Sequence, residues 1–120
     1  MKNSVIRGII TLSAVILTAK LGRIEYMGHT ETWYDLPMNR IIERTDSMLG
    51  VNGLYHIDER GVKMYGDWVI VAADKTVTRY SFVETSFGKG IVLDNHVTGD
   101  PNLYDIATSW GKTGDGSSKK

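Results

Sequence analysis

Three short apolar runs, each carrying an aspartate at or near its edge, constrain this chain more than any other feature. They are Trp68-Val-Ile-Val-Ala-Ala-Asp74, Gly90-Ile-Val-Leu-Asp94 and Tyr104-Asp105-Ile-Ala107. Their length and their content of Val and Ile suit buried β-strands better than helices. Between the second and third, Asn95, Gly99, Asp100, Pro101 and Asn102 supply turn chemistry. A carboxylate beside a buried strand is costly unless it is paired or used. Asp94 and Asp105, eleven positions apart on adjoining strands, are therefore placed to bring two carboxyl groups into one cleft.

The remaining chain reads as further short strands around one helix. Arg23 to Thr32 is a polar connector, and Trp33-Tyr34 opens the folded part. Asp35 stands as an N-cap before a helix over 36–49, in which Met38, Ile41, Ile42, Thr45, Met48 and Leu49 recur at helical spacing and Gly50 ends the run. The period then falls to two. Leu54–Ile57 and Val62–Tyr65 flank Asp58-Glu-Arg-Gly61 as a hairpin, Arg79–Thr85 is a strand, and Gly88-Lys89-Gly90 a tight turn. Tyr104 to Trp110 forms the last strand, and the tail 111–120 is flexible. Six strands at close spacing with a leading helix predict a mainly β domain, a small closed or half-closed barrel over residues 33–110.

Composition narrows the function. The chain has 120 residues, enough for one domain with a modest core. Fourteen basic side chains balance fourteen acidic ones, which removes the electrostatic footprint of a nucleic-acid binder. The absence of cysteine excludes disulfides and thiolate metal sites. No His, Asp and Glu set has metal-ligand spacing, so no metal or cofactor is expected. At the start, Lys2 and Arg7 precede the uncharged run Gly8–Ala19. Its size is that of a signal-peptide apolar region, so residues 1–22 are read as a signal peptide or an uncleaved membrane anchor, which would bring membrane contact. The alternative is a buried or partner-facing helix.

Carboxyl groups near apolar strands and near each other have their pKa values pushed apart, and one that keeps its proton near neutral pH is a general acid. In a sugar-binding cleft such an acid protonates a glycosidic oxygen. If a hydroxyl of the sugar itself then attacks, one carboxyl serves first as acid and then as base. The alternative for each strand-end aspartate is a turn cap that binds backbone N–H groups. His96, beside Asp94, is either a proton shuttle or a solvated loop residue. Trp33, Trp68 and Trp110 either stack on sugar rings or fill the core.

At Asp74, Asp94 and Asp105 the sequence resembles the three-aspartate (3D) domain family, small double-psi β-barrels found in cell-wall hydrolases and in the catalytic part of membrane-bound lytic transglycosylase A. The resemblance covers residues 68–110. It rests on Val-Ala-Ala-Asp74, on Phe82-Val-Glu-Thr-Ser-Phe-Gly-Lys-Gly90 with Glu84, on Ile-Val-Leu-Asp94, and on the eleven-residue step to Tyr-Asp105-Ile. It implies a six-stranded double-psi barrel that cleaves the β-1,4 bond between N-acetylmuramic acid and N-acetylglucosamine, without a metal, leaving a 1,6-anhydro end. Asp105 then matches the general acid/base, Asp94 the aspartate that positions or polarises it, and Asp74 the third of the set. Glu84, His96, Trp33 and Trp110 are the candidate substrate-binding residues, peptidoglycan glycan strands the partner, and the location extracytoplasmic or on a phage particle. Where the family usually has Asp-Thr-Gly-Gly, this chain has Asp94-Asn95-His96-Val97. That departure keeps open a non-catalytic wall-binding module or a phage structural protein on the same fold.

Overall fold

The computed structural model describes residues 22–96 and 98–119, with side chains as far as residue 112. The proposed signal or anchor segment therefore lies outside the described residues, apart from Gly22. In chain order the elements are β1 (Ile24–Tyr26), β2 (His29–Asp35), α1 (Asn39–Leu49), β3 (Tyr55–Ile57), β4 (Lys63–Tyr65), β5 (Trp68–Asp74), β6 (Phe82–Thr85), β7 (Gly88–His96), β8 (Leu103–Ala107) and β9 (Lys112–Lys119). The domain is mainly β, as the period-two patterning predicts.

The strand β5 is the hub, because its run of apolar residues is buried on both faces. One edge pairs in parallel with β7, from Val69↔Gly90 to Asp74↔His96. The other edge is divided. Trp68 and Val69 pair with β4, and Val71 to Ala73 pair antiparallel with β8. Beyond β8 lies β2 in parallel register, then β1, with β6 on the far edge of β7 and β3 outside β4. The order is β1-β2-β8-β5-β4-β3, with β6, β7 and β9 off that path.

This mixed sheet differs from the expected arrangement in four ways. Among the described residues it has nine strands rather than six, and its outer strands do not pair with one another to close a barrel. The helix is preceded by two strands, since Ile24–Tyr26 and His29–Glu31, expected as a polar connector, form an antiparallel pair. The stretch expected as a flexible tail begins as β9, pairing at Tyr34↔Lys112 and Asp35↔Thr113.

Two cores lie on the two faces of β5, as strand alternation requires. Val69, Val71 and Ala73 join Trp33, Val62, Met64, Phe87, Val92 and Ile106 on one side. Ile70 and Ala72 join Tyr34, Met38, Tyr65, Ile91, Leu93 and Ala107 on the other. The second side is covered by α1, whose Ile41 and Ile42 pack onto it. Tyr65, fully buried, donates to Asp46 Oδ1 at 2.6 Å, and Arg44 Nη2 donates to the Leu93 carbonyl at 2.6 Å. These two bonds fasten the helix to β4 and β7.

The helix begins three residues later than expected. Leu36 precedes Pro37, whose ring disfavours helical backbone at the residue before it. Asp35 is no cap. It ends β2 and accepts from Lys63 Nζ at 2.7 Å, while the same ammonium, only 5% exposed, donates to the Leu36 carbonyl at 2.8 Å. Met38 occupies the N-cap position without a side-chain bond. At the other end Gly50 takes the left-handed conformation (φ 71°) and donates to the Asp46 carbonyl, a geometry that favours glycine. Among the described residues no helix is long and apolar enough to cross a membrane.

Candidate functional site

A single β-bulge decides the geometry of the aspartates. In β7 the parallel register with β5 runs Ile70↔Ile91 and Val71↔Val92, then shifts so that Ala72 faces Asp94. Leu93 is the extra residue. Without it Asp94 would stand opposite Ala73 and project to the other side of the sheet, since a one-residue slip exchanges the faces. On the opposite edge of β5, Ala72 also faces Asp105 of β8, and Asp105 in turn faces Thr32 of β2. Asp94, Ala72, Asp105 and Thr32 thus form one row across four strands, on the side of the sheet that carries Tyr34.

Ala72 is the reason the row has room. Two strand spacings separate Asp94 from Asp105, roughly 9.5 Å between Cα atoms, and the strand between them contributes only the methyl group of Ala72. Asp105 is partly buried and accepts a hydrogen bond from Thr32 Oγ1 at 2.9 Å. Burial pushes its carboxyl above the ordinary range, against the lowering effects of the Thr32 bond and the His96 charge. Asp94 is wetter, with its side chain 37% exposed and Arg44 Nη2 4.0 Å away. A pair this long and this exposed adds little stability. Two carboxyls in unlike surroundings on one face are the arrangement that acid–base chemistry uses.

The cleft beside Asp105 has a volume of about 340 Å³ and is lined by Thr32, Trp33, Tyr34, Asp105 and Trp110 among others. Trp110 is 36% exposed; its Nε1 donates to the Arg60 carbonyl at 2.9 Å and its ring lies 5.7 Å from that of Trp33. It therefore presents an anchored aromatic edge at the rim. Gly61, at φ 80°, lets it come that close, because a Cβ there would lie 2.7 Å from the Trp110 ring. Trp33 itself is 6% exposed and packs in the first core. Its expected role as a sugar platform is therefore replaced by a supporting one beneath Trp110.

Asp74 has a different task. It is 3% exposed and accepts five hydrogen bonds: Thr76 N at 3.1 Å, Thr76 Oγ1 at 2.6 Å, Thr98 N at 2.8 Å, Thr98 Oγ1 at 3.1 Å and Gly99 N at 2.9 Å. The Thr76 hydroxyl and the Thr98 and Thr76 amides hold its carboxyl well below the usual carboxylate range. A carboxylate so fully engaged is a clasp that joins the loop after β5 to the loop between β7 and β8. Its two oxygens are taken up by these five bonds, which sets it apart from Asp94 and Asp105.

The sign of the Asp74 shift gives an expected result. A folded pKa below the unfolded one adds stability above the unfolded value, about 4, and that stability is lost as pH falls toward the folded value. Asp74→Asn should lower Tm at pH 7, and the gap to the wild type should close as melts are repeated from pH 5 down toward pH 2. A gap independent of pH would contradict the clasp.

The other expected residues divide. His96 pairs with Asp74 at the end of β7, is exposed, and its charge reaches Asp105. Glu84 does not join the site. It is exposed on β6 opposite Lys89, five residues before Asp94, too far along the strand to meet the same ligand group. The sequence reading missed Thr32, Tyr34 and Arg44. Thr32 and Tyr34 alternate with Trp33 in period two, a signal obscured by treating the segment up to Thr32 as connector. Among the described residues no group of three or more His, Asp and Glu side chains is placed to hold a metal ion. No protein-family model, no curated protein and no solved structure matches the chain.

Proposed function

We propose that the chain cleaves peptidoglycan as a lytic transglycosylase, outside the cytoplasmic membrane or from a phage particle. The observation that carries this reading is the row Asp94–Ala72–Asp105, with one carboxyl desolvated and the other wet, of which Asp105 also lines the cleft with Trp110 at its rim while Asp94 lies outside that lining. Protonated Asp105 gives its proton to the oxygen linking N-acetylmuramic acid to N-acetylglucosamine as the C1–O4 bond breaks. Asp94, as carboxylate, stabilises the positive charge that develops at C1. The 6-hydroxyl of the same muramic ring then closes on C1 while Asp105, now a carboxylate, takes its proton. One C–O bond breaks, one forms, and Asp105 returns to its starting state without a water.

The finer fold belongs to the same proposal. The parallel pairs β2–β8 and β5–β7, each joining strands that are not consecutive in the chain, support a relation to double-psi barrels. A second reading, a non-catalytic wall-binding module, is favoured by one feature: Asp94 lies beside Arg44, which would hold it in place in a binding cleft as well.

The pH profile separates the two. An acid with a raised pKa stays protonated above the ordinary range, so release of soluble fragments from peptidoglycan should fall as pH rises through the Asp105 value. Thr32→Val removes the hydrogen bond that lowers this pKa, leaving burial to raise it further. The alkaline limb of kcat/KM should therefore move to higher pH in the variant. A limb that moves down or stays fixed would mean that Asp105 is not the acid, and binding without release at any pH would favour the wall-binding module.

A further inference from the structure

Among the described residues β3 pairs only with β4, in antiparallel register at Tyr55↔Tyr65, His56↔Met64 and Ile57↔Lys63. Bonds at the two ends of this ladder fix which backbone groups face β4: Gly66 N donates to the Leu54 carbonyl at 2.8 Å, and Asp58 N to the Val62 carbonyl at 3.0 Å. Hydrogen-bonded positions alternate with non-bonded ones along an antiparallel strand, so Leu54, His56 and Asp58 are the bonded set. Tyr55 and Ile57 turn their N–H and C=O groups the other way, to the outer edge of the sheet. Neither residue has another backbone partner among the described residues, and Ile57 is 49% exposed. The side chains of Tyr55 and Ile57, two residues apart on one face, line a groove of about 510 Å³ against the start of α1. Met38 and Ile42 give it an apolar wall. Its charged lining is two carboxylates, Asp35 and Glu43, and one ammonium, Lys63, which is buried and bonded to Asp35. Glu43 is exposed and forms no ion pair among the described residues. One negative charge is therefore left unmatched beside the apolar wall.

We propose that the edge of β3 and this groove bind an extended peptide that carries a lysine or arginine side chain. The main chain of the peptide adds to β3 as a further strand and bonds to the N–H and C=O groups of Tyr55 and Ile57, while its alternate side chains fall into the groove. One of these is apolar and meets Met38, Ile42 and Ile57. The next on the same face, two residues away, is the cation and reaches Glu43. An anionic side chain in its place would meet Glu43 as a like charge. The open edge thus supplies affinity for any extended chain, and the groove supplies the choice of sequence. No residue of this groove lines the cleft beside Asp105, so the proposal stands independently of the peptidoglycan reading.

Amide-resolved NMR titration of the full-length chain tests this with two blocked pentapeptides, acetyl-Val-Ser-Lys-Ser-Val-amide and the same peptide with Glu in place of Lys. The lysine peptide should shift the Tyr55 and Ile57 amide signals saturably and slow their hydrogen exchange. The glutamate peptide should bind about tenfold more weakly, since it loses an attraction and gains a repulsion. Glu43→Gln, an exposed substitution on α1, should leave the fold alone, weaken the lysine peptide about threefold and narrow the gap between the two peptides. Equal affinity for the two peptides, or a gap that Glu43→Gln leaves unchanged, overturns the proposal, because the groove would then not read charge. Binding without slowed exchange at Tyr55 and Ile57 overturns the placement on the edge, and no binding at millimolar peptide overturns the site altogether. Shifts of these same amides with protein concentration alone would assign the edge to a second copy of the chain and overturn the peptide partner.

Discussion

Asp105→Asn is expected to lower the rate of fragment release from peptidoglycan by about 10²–10⁴-fold, the range for loss of a general acid, with the fold intact. Asparagine fits the same space in β8 and can still meet Thr32, but it has no proton to give and no charge with which to recover one. The effect on stability has the opposite direction. A carboxyl whose folded pKa lies above its unfolded value stabilises the fold below the unfolded pKa, and that contribution is lost as pH rises through the folded one. At pH values above the folded pKa the Asp105 carboxylate is therefore a burden on the fold, and there its amide replacement should melt at the same temperature or higher. Activity and Tm moving apart in this way separates a chemical residue from a structural one. Both falling together would place Asp105 with the clasps of the fold, as Asp74 is.

The second large effect lies away from the cleft. Glu31, fully buried, accepts from His29 Nε2 at 2.8 Å, Ser86 N at 2.8 Å and Ser86 Oγ at 2.6 Å. The carboxylate can only accept, so the imidazole nitrogen that faces it carries the hydrogen. His29 is itself 7% exposed and its ring lies 4.2 Å from that of Tyr104. This cluster ties β2 to the turn between β6 and β7, two parts of the sheet that share no ladder. Glu31→Ala leaves the imidazole, an amide and a hydroxyl buried without their acceptor. Each buried polar group left unsatisfied costs about 1–3 kcal/mol, together enough to lower Tm by more than about 10 °C in a domain of this size. A thermal melt followed by circular dichroism reads it directly. A loss of only a degree or two would mean that the site admits water or rearranges. Although the cluster holds a Ser, a His and a Glu, Ser86 is bonded to the carboxylate rather than to the imidazole, so it lacks the base of a nucleophilic triad.

Much of this fold is legible in the chain because its central strands are written as continuous apolar runs. Trp68–Ala73, Ile91–Leu93 and Ile106–Ala107 became the buried parts of β5, β7 and β8, and the turn at Asp58–Gly61 closed the β3–β4 hairpin in the expected place. The β1–β2 pair was not legible. Its inward positions at His29 and Glu31 are polar, and a buried hydrogen-bonded cluster imitates a surface loop when only hydrophobicity is considered. Register was not legible either. Period-two alternation cannot show that Leu93 is the extra residue of a bulge, yet that residue alone puts Asp94 on the same face as Asp105. Asp74 carried the same strand-end signature as its two companions and serves a different purpose, because the two loops that bind it are brought together only by the parallel pairing of β5 with β7.

The reading of Asp94 and Asp105 as a transglycosylase pair is tested most directly by mass spectrometry of the soluble products released when the full chain acts on insoluble peptidoglycan, with Asp105→Asn alongside. Muropeptides ending in 1,6-anhydro-N-acetylmuramic acid, released by the wild type and absent with the variant, are the predicted result. Products with reducing ends would show that water rather than the 6-hydroxyl attacks, and no products from a wild-type protein that stays bound to the pellet would contradict catalysis altogether.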